Sequence, residues 1–299
     1  MFGLTYNKFS FSLRFTKSEI FSSPADGSYH MEIDLFTNDG SILYEDNRQL
    51  KTTDGTKTSV VASGFQFPND FRQLNATHVV VVDLHLDCLK IVNRKNKSNK
   101  VLAGECGVDG FVDGASARFY YPAAIELDKR NPGHLLVADR NNGALRTVDV
   151  ASGVVSTVRA SGFRFPDRLA WHNDRLLVAN SYYISEVVWG ANGFVTNNRL
   201  AGTTNSGYKD GDFPIAKFTG IEDIQQLRDG LFLIADYSNK RLRLLDMFTK
   251  KVLPVCIGVA VGCSTGTSLS FYPQSLMIYN ERLYVGGTSG DGIILTQVG

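Results

Sequence analysis

An aromatic residue followed by proline recurs along this chain at nearly constant spacing. The pairs are Phe67-Pro68, Tyr121-Pro122, Phe165-Pro166 and Tyr272-Pro273. Pro24 and Phe218-Thr219 stand where further copies are due, so the successive intervals are 44, 54, 44, 53 and 54 residues. A fixed period of this length indicates an array of similar structural units. The sequence therefore divides into six units of about 50 residues, the last one split between the two ends of the chain.

Each unit contains short apolar runs that end in Asp or Asn, at 80–83, 135–139, 176–180 and 233–236. Runs of four to six residues that are rich in Val, Leu and Ile and bounded by Asn, Asp and Gly are typical of β-strands. The third unit offers four of them, at 124–127, 134–138, 144–148 and 154–158. Short strands in sets of four fit the twisted blade of a β-propeller. The sequence therefore predicts an all-β fold, a six-bladed β-propeller.

The two ends of the chain are expected to share the last blade. After Pro273 there is room for three strands, at 275–279, 282–285 and 292–298, and the alternating segment 6–15 supplies the fourth. A ring closed by this N-terminal strand has no open sheet edges at the junction, so deletion of residues 1–16 should unfold it. We expect a single domain over 1–299, with blades at about 20–62, 63–116, 117–160, 161–213, 214–267 and 268–299 plus 1–19.

Two segments repeat a longer pattern. Residues 234–243 read Ile-Ala-Asp-Tyr-Ser-Asn-Lys-Arg-Leu-Arg, and residues 137–146 read Val-Ala-Asp-Arg-Asn-Asn-Gly-Ala-Leu-Arg. The inter-blade segments 102–122 and 200–218 share Leu-Ala-Gly, Asp-Gly and Phe in the same order. These residues resemble the NHL repeat, a family of β-propeller repeats, over about 60–290, whereas the first and last units depart from its pattern. The resemblance implies a propeller used for binding.

Composition excludes several classes of function. Lys and Arg total 31 against 30 Asp and Glu, so the net charge of +1 gives no basic field for nucleic acid or an anionic membrane. No apolar run approaches the roughly 20 residues of a membrane span. One basic hairpin carries Arg94, Lys95, Lys97 and Lys100. Some NHL propellers bind RNA through a basic face, but four charges on one turn are typical of a solvated hairpin, so nucleic-acid binding is not expected.

The loops of such a propeller are the candidate binding surface. The loop between the second and third strands of a blade and the loop between blades emerge on the same face, and loops on a rigid scaffold commonly carry function. Exposed aromatic and Arg side chains there are candidate hot spots, the alternative being that they fill gaps between blades. The predicted binding residues are His85, Phe111, Arg140, Tyr182, Tyr183, Tyr208 and Tyr237. We expect a non-enzymatic, monomeric propeller without a cofactor that binds a protein partner, as one module of a larger or extracellular protein.

An enzymatic alternative remains open. Six-bladed hydrolases and lyases that resemble this architecture hold calcium or zinc on the ring axis. Asn69, Asp70, Asp167 and Asn180 would be the ligands here. Arg168 among these acids favours an ion-paired plug instead. The recurring strand-end Asp residues are expected to cap the following turn, because a catalytic site is made once and not in every blade. The Asp-Gly pairs at 109, 113 and 210 lack calcium-loop spacing and indicate turns.

Cysteines and sequons bear on the compartment. Cys88 with Cys106, and Cys256 with Cys263, are local pairs consistent with disulfides in an oxidising compartment, the alternative being four reduced thiols. Asn75-Ala-Thr and Asn96-Lys-Ser fall at predicted hairpin turns where glycans would be accessible. The first twenty residues make a poor signal peptide. An extracellular or secreted location is favoured over a cytoplasmic one.

Overall fold

The computed structural model describes residues 13–22, 33–35, 42–46, 48–53, 57–190, 195–257, 266–279, 282–287 and 291–297. Within these ranges the chain is β-structure with two short 3₁₀ turns, Leu84–Leu86 and Phe213–Ile215. The strands are β1 (Leu13–Ser22), β2 (Ile33–Leu35), β3 (Ile42–Asp46), β4 (Gln49–Thr53), β5 (Thr58–Ala62), β6 (Pro68–Gln73), β7 (His78–Asp83), β8 (Cys88–Asn93), β9 (Ser98–Ala103), β10 (Pro122–Leu127), β11 (His134–Asp139), β12 (Ala144–Asp149), β13 (Val155–Arg159), β14 (Arg168–His172), β15 (Arg175–Ala179), β16 (Tyr183–Trp189), β17 (Val195–Gly202), β18 (Gly211–Asp212), β19 (Ile221–Arg228), β20 (Leu231–Asp236), β21 (Arg241–Asp246), β22 (Lys251–Ile257), β23 (Pro273–Tyr279), β24 (Arg282–Gly287) and β25 (Asp291–Gln297).

The strands form antiparallel sheets of four in chain order. Strands β2–β5, β6–β9, β10–β13 and β14–β17 are separate sheets, and β19–β22 make a fifth set of four. These five sets are called blades one to five. A sixth sheet of β23–β25 is joined to blade five through β1. The fold is an all-β propeller, and this arrangement is consistent with six blades.

The first strand of each blade lies innermost. Strand β6 contacts β10, β10 contacts β14, β14 contacts β19, β19 contacts β23, and β23 contacts β2. Because first strands run down the axis and neighbours in a blade are antiparallel, the inter-blade segments share one side with the loops between second and third strands. This side is called the loop face. The opposite side, called the turn face, carries the turns between first and second and between third and fourth strands.

The core lies between the blades. Both sides of each sheet are covered by neighbouring blades, so the strands read as continuous apolar runs and not as alternating ones. In β7, Val80 and Val82 pack toward blade three, whereas Val79 and Val81 pack toward blade one. All four are fully buried, and each contributes about 1.5–3 kcal/mol by leaving water. The Val run of the sequence is therefore a double-sided interface.

The N-terminal strand lies later in the chain than the sequence pattern predicts. Strand β1 pairs antiparallel with β25, and its first residues, Leu13 to Phe15, pair parallel with Val255 to Ile257 of β22. Residues 6–12 of the predicted strand lie outside the described residues. The aromatic-polar alternation ends at Phe15, and residues 16–19 are all polar, so the sequence pattern does not mark the part of β1 that pairs with β25.

No helix in the described ranges is long and apolar enough to cross a membrane.

Candidate functional site

Buried Asp and Asn side chains at the ends of the second strands are hydrogen-bonded to the inter-blade loops of the loop face. Each accepts a backbone N–H from the loop that enters its own blade, 16 to 19 residues earlier in the chain. These hydrogen bonds are 2.9–3.1 Å long. The backbone N–H groups of Gln66 and Phe67 donate to Asp83, that of Tyr120 to Asp139, that of Arg164 to Asn180 and that of Thr219 to Asp236. The prediction of a structural capping role is confirmed, but the predicted backbone partner, the following turn, is wrong. The acceptors fasten the aromatic-proline loops instead.

A buried arginine connects one such acid to the inter-blade segment. Arg146 has no exposed surface and donates from Nη1 to Asp139 Oδ2 at 2.8 Å. Its Nη2 donates to the Asp113 carboxylate at 2.5 Å and to the Val112 carbonyl at 2.7 Å. Burial raises the pKa of Asp139, and the Tyr120 N–H and Arg146 oppose that rise. A buried ion pair is tolerated when further hydrogen bonds satisfy both ions. Here Nη1 and Nη2 of Arg146 are bonded, whereas its Nε has no hydrogen-bond partner within the described residues.

The same arrangement recurs with variations in other blades. In blade five, Arg243 Nη1 donates to Asp236 at 2.8 Å and Nη2 lies 2.6 Å from Asp210. In blade two, Lys90 Nζ takes the equivalent position, 3.0 Å from Asp83. Asp113 and Asp210 of the Asp-Gly pairs therefore act as acceptors for buried arginines, a role that the sequence pattern did not predict.

Two predicted binding residues lie over these arginines. The rings of Phe111 and Tyr208 are centred 4.5 and 4.7 Å from the guanidinium carbons of Arg146 and Arg243. Phe111 is 45% exposed and Tyr208 is 37% exposed, so each ring fills a gap on one side and meets solvent on the other. Burial, together with the acceptor Asp210, raises the pKa of Tyr208 to about 12.

Three other predicted residues meet the aromatic-proline loop of the next blade. His85 stacks on Tyr121 with ring centroids 5.5 Å apart, and on Phe67 of its own blade at 4.6 Å. The other two contacts are Arg140 over Phe165 at 5.2 Å and Tyr237 on Tyr272 at 4.9 Å. Sequence reasoning did not single out Tyr120, Phe165 and Tyr272 as surface residues, although they are 37–44% exposed. The recurring motif itself was the available signal.

Tyr182 and Tyr183 differ from one another. The Tyr182 ring lies 4.9 Å from the exposed guanidinium of Arg164, on the loop face. Tyr183 opens β16 opposite Gly202, and partial burial raises its pKa. Tyr183 is therefore part of the blade, whereas Tyr182 lies in the loop before it, beside Arg164.

A disulfide ties the inter-blade segment of blade two to its third strand. Cys88 begins β8 and is joined to Cys106, 18 residues later. Cys256 is also disulfide-bonded. Cys263 lies outside the described residues.

The inner strands carry an ion-paired polar cluster. Asp70 and Asp223 accept the backbone N–H groups of Ile125 and Leu276 in the next blade, at 2.9 and 2.7 Å. Arg168 is buried, with Nε 3.7 Å from the Asp223 carboxylate. Burial raises the pKa of Asp223 and Arg168 opposes that rise. The two acids therefore fasten adjacent blades together near the axis.

The four residues of the metal alternative are engaged by protein groups. Asn69 donates to the Ala123 carbonyl at 2.7 Å, and Asp70 accepts from Arg72 at 2.7 Å. Asp167 accepts from Arg140 Nε at 2.5 Å. Asn180 accepts the Arg164 N–H and donates to Ser185 at 3.0 Å. These side chains do not form an oxygen cage for a cation, and no group of three His, Cys, Asp or Glu fit for a metal occurs in the described part of the chain.

Asp167 has a strongly perturbed pKa near the mouth of the ring. Burial, followed by the nearby Glu222, raises its pKa to about 7, although Arg140 opposes the shift. Such a carboxyl changes charge near neutral pH.

Comparison with known proteins shows the fold. No protein-family model and no curated protein sequence matches the chain. An auxiliary nutrient binding protein from Bacteroides ovatus superposes with a TM-score of 0.71 and 13% identity, over 90% of this chain and 69% of the other. A gluconolactonase from Xanthomonas campestris superposes with a TM-score of 0.66 and 10% identity, over 93% of this chain and 89% of the other. Virginiamycin B lyase from Staphylococcus aureus superposes with a TM-score of 0.58 and 11% identity, over 94% of this chain and 99% of the other. The chain thus has a β-propeller fold resembling those of NHL, lactonase and lyase propellers.

Proposed function

We propose that this chain is a non-enzymatic, monomeric six-bladed propeller of NHL type that binds a partner protein through its loop face. One observation carries the proposal. The aromatic side chains of the loop face are fastened from behind by buried acids and arginines, while their outer surfaces remain open.

Because the aromatic side chains are already held in place, less free energy is lost when a partner binds. Binding costs free energy for every side chain that must be immobilised, about 0.5–1.5 kcal/mol each. Phe111 and Tyr208 are already held by buried arginines, and Tyr237 and Tyr272 hold one another. A partner therefore meets preorganised rings, and Tyr and Arg are the residue types that dominate binding hot spots.

The charges beside the rings suggest the chemistry of the partner. Arg164 lies over Tyr182, and Lys240 Nζ lies 4.3 Å from the centre of the Tyr272 ring. Neither cation has an ion-pair acid within the described residues, whereas Arg140 is paired with Asp167. A protein segment that combines apolar side chains with carboxylates fits this surface.

The ring itself is part of the proposal. We propose that β1 completes the sixth blade, so that residues 1–299 form one closed domain with the six blade ranges predicted above. Two observations support closure. Strand β1 pairs with both β25 and β22, and the first strand of the sixth sheet contacts β2 of blade one.

The test uses partner retention by variants on opposite faces. The chain is immobilised and incubated with extracellular extract, and retained proteins are identified by cross-linking and mass spectrometry. We expect Phe165→Ala combined with Tyr272→Ala to lose the partner retained by the parent protein. Phe248→Ala is the matched control, because Phe248 is 57% exposed in the turn between β21 and β22 on the turn face. Loss with Phe248→Ala alone, or equal retention by all variants, would overturn the proposal.

A further inference from the structure

Two Asn-x-Thr/Ser sequences lie side by side on the turn face of blade two. Asn75 is in the turn between β6 and β7, and Asn96 is in the turn between β8 and β9. Both asparagines are exposed. The backbone N–H of Arg94 donates to the Thr77 carbonyl at 2.8 Å, so the two turns are hydrogen-bonded to one another.

The two turns share one local geometry. The Asn75 side-chain oxygen accepts the backbone N–H and the hydroxyl of Thr77, at 2.9 and 3.0 Å. The Asn96 side-chain oxygen accepts the same two groups of Ser98, at 3.1 and 2.7 Å. In both Asx turns, the hydroxyl that defines the sequence pattern is bonded to the asparagine amide.

This geometry leaves the reactive nitrogen free. A planar amide that turns its oxygen into the loop directs its nitrogen away from it. Within the described residues, Nδ2 of Asn75 and Asn96 donates to no protein acceptor. The Nδ2 groups of Asn99, Asn142 and Asn239, by contrast, are bonded to the carbonyls of Ser63, Gly110 and Gly207.

We propose that Asn75 and Asn96 are acceptors of N-linked glycans when the chain passes through a secretory lumen. The donor is an oligosaccharide carried on a lipid diphosphate. A bond forms between Nδ2 and the first sugar carbon, the bond between that carbon and the diphosphate oxygen breaks, and Nδ2 loses one proton as the lipid diphosphate leaves. The side-chain oxygen takes no part, so the hydrogen bonds of both turns survive the modification.

Two features of the fold agree with this assignment. The disulfide Cys88–Cys106 belongs to the same blade and is typical of an oxidising compartment, in which the transfer takes place. The glycans would cover the turn face beside Arg94, Lys95 and Lys97, and would leave the loop face open.

The experiment follows the modification site by site. The full chain, preceded by a cleavable signal sequence, is secreted from an animal cell line and then deglycosylated enzymatically in ¹⁸O water. That reaction converts a glycosylated asparagine into labelled aspartate. We expect label at Asn75 and Asn96 and none at Asn99. Unlabelled Asn75 and Asn96 in the secreted protein would overturn the proposal.

Matched variants separate modification from folding. Thr77→Ala and Ser98→Ala should each remove one glycan, whereas Thr77→Ser and Ser98→Thr should keep both. Retention of both glycans in the alanine variants would also count against the assignment. Enzymatic deglycosylation should leave partner retention on the loop face unchanged, so this inference and the proposed function can fail independently.

Discussion

The Arg243 guanidinium donates to the Asp236 carboxylate at 2.8 Å, and neither side chain has any solvent exposure. The carboxylate also accepts the Thr219 N–H, and the guanidinium also reaches the Lys209 carbonyl. One ion pair therefore connects the second and third strands of blade five to two points of the inter-blade segment, Lys209 and Thr219. The inter-blade loop on the loop face depends on this pair for its position.

Removal of the arginine should be strongly destabilising. Arg243→Ala leaves the Asp236 carboxylate buried and uncompensated, which costs about 3–5 kcal/mol. Arg243→Lys should cost less, because blade two places Lys90 in the equivalent position. Urea denaturation measures both. Arg118→Ala is the control, since both side chains of its ion pair with Glu105 are about half exposed and such pairs contribute about 0–1 kcal/mol. Equal losses for Arg243→Ala and Arg118→Ala would contradict the role assigned to the pair.

Asp167 should give the stability a pH dependence near neutrality. Its pKa rises from 3.8 to about 7 on folding, so the folded chain binds more protons than the unfolded chain between these values. The free energy of unfolding should therefore decrease as pH rises from about 4 to about 7, and then level off. Asp167→Asn removes this component while keeping an acceptor for Arg140. Thermal unfolding across the range compares it with the exposed Asp174→Asn. Parallel profiles for the parent and Asp167→Asn would show that the shift is absent.

The Cys88–Cys106 disulfide should stabilise the chain by about 3 kcal/mol, the usual value for a closed loop of this order. The double variant Cys88→Ala with Cys106→Ser tests it by denaturant unfolding. Because Cys88 is fully buried, alanine is the smaller perturbation there. The parent protein under reducing conditions should move toward the variant, and an unchanged midpoint in both cases would contradict the prediction.

Deletion of β1 tests closure of the ring. Without residues 1–22 the edges of β22 and β25 lose their partner, and exposed strand edges favour aggregation. We expect loss of the cooperative unfolding transition and association at low concentration. Deletion of residues 1–12 keeps β1 and serves as the control. A soluble, cooperative protein without residues 1–22 would refute closure by this strand.

Metal content tests the enzymatic alternative. Asp167 and Asp70 are engaged by arginines, so we expect no stoichiometric calcium or zinc by elemental analysis. A chelator should leave the midpoint of thermal unfolding unchanged, because a ligand stabilises only the state that binds it. One equivalent of metal, removed with loss of stability, would instead favour the hydrolase or lyase alternative and a screen of esters and lactones.

The sequence predicts the blades better than it predicts the site. Apolar runs that end in Asp mark β7, β11 and β20 directly, because each buries both sides and must end at a polar group. The hydrogen-bond partners of Arg146 could not be predicted from the local sequence. They include Asp113, 33 residues earlier, and they meet only because the intervening segment runs beside β13, where Gly114 bridges Val155.

Exposure in the loops was equally difficult to predict. Phe163 and Phe165 both precede Pro166, yet Phe163 is 9% exposed and Phe165 is 44% exposed. The difference comes from the backbone, since Phe165 adopts a left-handed conformation with φ of 49° and turns its ring toward Arg140. Local sequence does not specify that turn. It depends on tertiary contacts, among them the contact with Arg140 of the preceding blade.

The pairing of β1 with β25 also governs the order of assembly. Strand β1 leaves the ribosome first and can pair with β25 only after that strand has been made, although its parallel partner β22 is made earlier. Joining two strands so distant in sequence carries a large loop-closure entropy. Refolding should therefore be slow relative to the formation of single blades, each built from neighbouring hairpins.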